Sequence, residues 1–123
     1  MTTVGVTKPT EMKTNKFKEM GRMADQVRIT VLKRELYKDL IKEYSSNPET
    51  EQCPRYKDGQ EFILETKDMP AGFCSWAWAD IQRDVAAVFH GASFPWIERK
   101  SMIISCCTDG LRPVVFKIEK IGE

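Results

Sequence analysis

Four thiols stand in this chain of 123 residues, at Cys53, Cys74, Cys106 and Cys107. Cys53 precedes Pro54, and Cys74 lies inside the block Gly72-Phe73-Cys74-Ser75-Trp76-Ala77-Trp78. The vicinal pair leads into Thr108-Asp109-Gly110. A cysteine can ligate a soft metal, attack an electrophile as its thiolate, or fill a core as a small hydrophobe. The spacing holds no C-x-x-C and matches no zinc or iron–sulfur pattern, so by itself it names no site. Three readings stay open for the same atoms: packing, a redox-active or nucleophilic thiol, and a thiolate-bound metal such as zinc or iron.

Successive side chains of a regular strand point to opposite faces. Cys106 is in phase with Met102 and Ile104, and Cys107 with Ile103, so only one of the pair can join Cys53 and Cys74. Cys107 is the candidate, because it abuts a turn where a site at the end of a sheet would open to solvent. The candidate metal ligands or reactive sulfurs are therefore Cys53, Cys74 and Cys107. Trp76 and Trp78 are candidate walls of a ligand pocket, with Asp109 and Arg112 as polar orienters. Asp109-Gly110 is first of all a turn signal. His90, the only histidine, lies about 160° around a helix from Cys74, which excludes a Cys–His dyad between those two. Asp80 and Asp84 share a helix flank, a spacing common on solvated faces. Glycine-rich phosphate loops, H-E-x-x-H and G-x-S-x-G are absent.

The elements that must hold these residues read as follows. Val27, Ile29 and Val31 alternate with Arg28 and Thr30, the pattern of a half-buried strand. Tyr37, Leu40, Ile41 and Tyr44 follow helical spacing, and Ser45-Ser46-Asn47-Pro48 stops that helix. Asp58-Gly59 turns into a strand over Gln60 to Leu64. A helix is predicted from about Ser75 to Phe89, with Gly91 closing it. On a wheel of about 100° per residue, Cys74, Ala77, Trp78, Ile81, Val85, Val88 and Phe89 share the core arc. Trp76 falls among Asp80, Arg83 and His90 on the polar side. An indole there lies under a loop such as Phe94-Pro95-Trp96, in a pocket, or against a second copy of the chain. Met102 to Cys107 and Pro113 to Ile118 make a final hairpin. The expected fold class is α+β: a small, mainly antiparallel sheet of about four strands with one main helix on one face, plus a shorter helix.

The totals frame this domain. Hydrophobic residues make up 41% and charged residues 30%, a globular balance. Residues 1–26 carry five basic and three acidic groups, so of 19 basic and 18 acidic residues the remainder keeps 14 and 15. Positive charge is thus not concentrated on the folded part, which argues against nucleic acid as a partner. No apolar run is long enough for a bilayer, and the N-terminus lacks a secretory apolar stretch. The expectation is a cytoplasmic protein, where structural disulfides are rare. A polar arm over 1–25 is expected to precede a single domain over 26–123.

The blocks Cys53-Pro54, Gly72 to Ile81 and Cys107 to Phe116 together resemble a family of small, functionally uncharacterised prokaryotic domains, frequent in anaerobes and sometimes present as tandem copies. The resemblance runs from about Val27 to Ile121. It implies a compact domain of that extent and points to the same residues, without implying an activity or a cofactor. An anaerobic setting is compatible with free thiols or an oxygen-sensitive centre. The expected function is a ligand- or metal-binding module with a cysteine- and tryptophan-lined pocket for a small molecule. Its alternatives are a thiol redox protein or small thiol enzyme, and a homo-oligomerising interaction module using the Trp76 face.

Overall fold

Residues 26–122 are described by a computed structural model; the expected arm over 1–25 lies outside them. Strand β1 (Gln26–Arg34) buries Val27, Ile29 and Val31 completely, as their alternation requires. A short helix α1 (Lys38–Tyr44) follows, then β2 (Glu61–Leu64), helix α2 (Ser75–Phe89), β3 (Met102–Cys106) and β4 (Val114–Ile121). All neighbours pair antiparallel in the order β2-β1-β4-β3, and β3 and β4 form the expected hairpin. The fold is α+β, with one long and one short helix. No helix among the described residues is long and apolar enough to cross a membrane.

Register explains which side chains share a face. Ile118 pairs with both Ile29 and Ile103, and Phe116 with both Val31 and Ser105, so these rows face one side. Helix α2 lies over β3, β4 and β1 on that side. It contributes Ala77, Ile81, Val85 and Val88 to the core. Each Val or Ile so buried contributes about 1.5–3 kcal/mol. Where α2 does not reach, Tyr56 and Phe73 cover the sheet. Their rings lie 5.4 Å apart, and each stands within 5.5 Å of Phe116. Gly91, at φ +83°, ends α2 in a Schellman arrangement, with its N–H on Val88 O and that of Ala92 on Ala87 O.

Strand β1 departs from simple alternation at one point. Val31 pairs with Phe116 and Lys33 with Val115, leaving Leu32 as an extra residue. This bulge resets the phase. Arg34 pairs with Val114, on the helix side, where an unbroken strand would have turned it away. The short helix also differs from its pattern. Of Tyr37, Leu40, Ile41 and Tyr44, only Ile41 is buried, because α1 packs broadly against neither the strands nor α2.

Candidate functional site

Three segments meet at the end of the sheet nearest the start of α2. The first is the loop carrying Cys53-Pro54-Arg55-Tyr56. Arg34, redirected by the bulge, donates to Cys53 O at 3.1 Å and to Asp58 Oδ1 at 3.0 Å. Tyr56 seals the loop from below, its ring buried among Phe62, Phe73 and Phe116.

The second segment is the helix start. Gly72, at φ +82°, lets the chain turn so that Phe73 enters the core and Cys74 becomes the N-cap of α2. A helix start leaves four N–H groups without intrahelical acceptors. The Cys74 N–H donates to Tyr56 Oη at 3.0 Å. The Cys74 side chain makes no capping bond, so the N–H groups of Ser75, Trp76 and Ala77 keep no acceptor among the described residues.

The hairpin connection supplies the third segment. Cys107 donates its N–H to Val114 O at 3.1 Å, and its Sγ accepts the Val114 N–H at 3.3 Å. The Asp80 carboxylate accepts both the N–H and the hydroxyl of Thr108, at 2.7 and 3.0 Å. Thr108 Oγ1 in turn accepts the Trp76 indole N–H at 3.3 Å. These bonds pin the hairpin to the helix and fix the indole plane. Asp109 closes its own turn by accepting the N–H groups of Leu111 and Arg112, and its second oxygen lies 3.7 Å from Arg112 Nε.

A cavity of about 580 Å³ opens between the three segments. Cys53, Cys74 and Cys107 all line it, with Trp76, Asp109 and Arg112. Cys106 does not, since it pairs with Val115 on the sheet's other face. Trp78 is not a wall: it packs against the core with its ring 5.7 Å from Phe73. The two indoles thus separate by helical phase, Trp76 being 65% exposed at the cavity. Phe94 and Trp96 meet each other at a tilt of 50°, 5.3 Å apart, and Trp76 remains exposed rather than covered by their loop. His90 stands at the far end of α2, its Nε2 3.0 Å from Lys67 Nζ. Asp80 and Asp84 do not form an acid pair, since Asp80 is occupied by Thr108 and Asp84 lies 3.9 Å from Arg83.

All four cysteines are free thiols. Among the described residues, no group of three or more His, Cys, Asp or Glu is gathered to hold a metal ion. The three thiols therefore line one cavity without forming a ready-made ligand set. Burial pushes the Tyr56 phenol up to about 12, against the opposing pull of the Cys74 N–H bond, so it is a hydroxyl at neutral pH. Cys53, Cys74 and Arg55 all act on that phenol through space, and all line the same cavity as Tyr56. Burial, and after it Cys107 and Asp80, raise the Cys106 thiol above its ordinary value. A larger cavity of about 790 Å³ beside α1 has neither thiol nor aromatic wall.

Tyr56, Arg55, Thr108 and Arg34 complete the site and were not singled out by sequence. A signal existed for Tyr56, the only aromatic residue between Tyr44 and Phe62 in a polar loop. Arg34 depends on a bulge that no residue pattern announces. Comparison of the chain with protein-family models, with curated proteins and with solved structures finds no match. The site is accordingly read from its own geometry.

Proposed function

We propose that this domain is a small-molecule-binding module whose pocket lies at the start of α2, with Trp76 as its wall and Cys53 and Cys74 as its accessible sulfurs. One observation carries the reading: three segments far apart in sequence bring three of four cysteines, an exposed indole and two arginines to a single cavity. Its volume suits a small organic ligand. Asp109 and Arg112 serve as polar orienters. The pocket is taken as a site for an organic ligand rather than for a metal, because its sulfurs are not gathered as ligands.

The test is competition between fragments and alkylation. Indole, benzoate and benzamide are each added before iodoacetamide, and modification at each cysteine is followed by mass spectrometry. At least one fragment is expected to slow Cys53 and Cys74 together and leave Cys106 unchanged. Failure of all three to protect those thiols, or equal protection of Cys106, refutes the reading.

A second reading has a specific observation behind it. Cys53 and Cys74 line the same cavity, and both act through space on the Tyr56 phenol. They can then exchange with a disulfide substrate: two thiols become one disulfide, and the substrate leaves as two thiols. Oxidised glutathione should in that case yield a Cys53–Cys74 bridge, which requires their Cα atoms within about 7 Å. A bridge to Cys106 instead would refute it.

A further inference from the structure

The cavity has a polarity that binding alone does not specify. Trp76 and Ala77, whose N–H groups have no acceptor among the described residues, line it at the positive end of α2, with the free N–H of Ser75 just before them. Arg55 lines the same space, with one bond, from its Nη2 to Phe73 O at 3.3 Å, holding the guanidinium beside the helix start. It has no acidic partner among the described residues. Tyr56 is only 3% exposed, and its oxygen already accepts the Cys74 N–H. Its own proton has no acceptor among the described residues. A buried hydroxyl with an undelivered proton, a guanidinium without an acidic partner and open helix N–H groups therefore meet at one cavity, and all are donors.

The remaining charges in the lining nearly cancel. The Asp109 carboxylate is taken up by two backbone N–H groups and by Arg112. Asp80, one turn along α2, spends its carboxylate on Thr108. One uncompensated positive charge is left, which suits a single negative charge better than a dianion. The cavity is much larger than an inorganic ion, and part of its lining is apolar, with the Trp76 and Ala77 side chains and Pro54. A flat apolar body can rest there against the fixed indole.

We propose that the pocket selects a carboxylate joined to a flat apolar body, the carboxylate seated on the open start of α2 between Arg55 and the Tyr56 hydroxyl, and the body against Trp76. This rests on the pocket being a ligand site and adds the class of ligand. The carboxylate so placed also lies beside the Cys74 sulfur.

The experiment is a titration followed through backbone amide resonances, with benzoate, its neutral isostere benzamide, and inorganic phosphate as probes. Benzoate is expected to shift the amides of Ser75, Trp76 and Ala77 most. Benzamide and phosphate should bind at least tenfold more weakly. Arg55→Met, an exposed change, should weaken benzoate by roughly ten- to a hundredfold, as loss of one charge-assisted hydrogen bond does. Amides away from the pocket should stay in place. Tyr56→Phe should weaken benzoate and leave benzamide nearly unaffected. The assignment is overturned if benzamide matches benzoate, if phosphate matches it, if Arg55→Met leaves benzoate unchanged, or if benzoate shifts none of the three amides. Should benzamide or indole protect Cys53 and Cys74 from alkylation while benzoate does not, the ligand site stands and the carboxylate falls. Protection by no fragment removes both.

Discussion

Tyr56→Phe removes a single oxygen from the junction of core and pocket, and its consequences can be worked from the structure at two pH values. The ring contacts to Phe62, Phe73 and Phe116 survive the change. What disappears is the acceptor of the Cys74 N–H, leaving a part-buried donor without a partner. That costs about 1–2 kcal/mol, since an orphaned buried donor loses its hydration as well as its bond. For a domain of this size the melting temperature should fall by about 4–8 °C per kcal/mol.

Alkaline pH reverses the comparison. The Tyr56 phenol rises from 10.0 to about 12 on folding. A raised folded value stabilises fully below the unfolded value, and the benefit is lost as pH climbs through the folded one. Two units correspond to about 2–3 kcal/mol withdrawn from the wild-type chain between about pH 10 and pH 12. Phenylalanine cannot ionise, so the variant is spared this loss, while every other titrating group is common to both chains. The two stability curves should converge from pH 10 and cross near about pH 11. Urea unfolding, read by fluorescence under a reductant at a series of pH values, measures both. Parallel curves through pH 12 would show that the phenol is not desolvated. A neutral-pH loss as large as about 3–5 kcal/mol, the cost of deleting a buried ring, would show that the ring itself had moved.

Three further outcomes are expected. Trp76→Ala should cost no more than about 1 kcal/mol, the value of an exposed hydrogen bond, yet abolish fragment binding, whereas Trp78→Ala should cost about 3–5 kcal/mol in urea unfolding as a core truncation; equal losses would contradict the separation of the two indoles. Arg34→Met should destabilise by about 1–3 kcal/mol through its bonds to Cys53 O and Asp58, and should speed iodoacetamide modification of Cys53, an acceleration absent if the loop is held by Tyr56 alone. Alkylation of Cys106 should show a pH midpoint above that of an ordinary thiol, because burial, Cys107 and Asp80 all disfavour its thiolate; a midpoint below it would show that these three do not govern the thiol.

Much of the frame was legible in the chain because it rests on short periodic patterns. Val27, Ile29 and Val31 alternate, and the stripe Ala77, Ile81, Val85 and Val88 repeats at helical spacing. Both patterns are enforced locally, by one sheet face and one helix face. Gly91 could be placed because the left-handed backbone that ends a helix favours glycine. The same periodicity misled at α1, where Leu40 and Tyr44 have the spacing of a buried stripe but no layer to bury them. The bulge at Leu32 was silent, because any side chain can occupy an extra strand position. With it went Arg34, which the unbroken pattern assigns to the wrong face.

The cysteines divide by what surrounds each sulfur rather than by spacing. Cys107 is 8% exposed, and its sulfur accepts the Val114 N–H, so it continues the β3–β4 pairing one step past the last strand residue. Its replacement would disturb the hairpin before it disturbed any ligand. Cys53 and Cys74 are half-buried, make no such side-chain bond, and both line the cavity beside Tyr56. The proposed chemistry at this pocket is accordingly assigned to those two. Packing holds for Cys107 as a core member and in part for Cys53 and Cys74, which pack against that core while lining the cavity. The helix start makes the same point from the other side. A residue such as Ser or Asp at position 74 would cap α2 and occupy one of its free N–H groups; cysteine makes no such bond, and sets a sulfur beside the place proposed for the carboxylate.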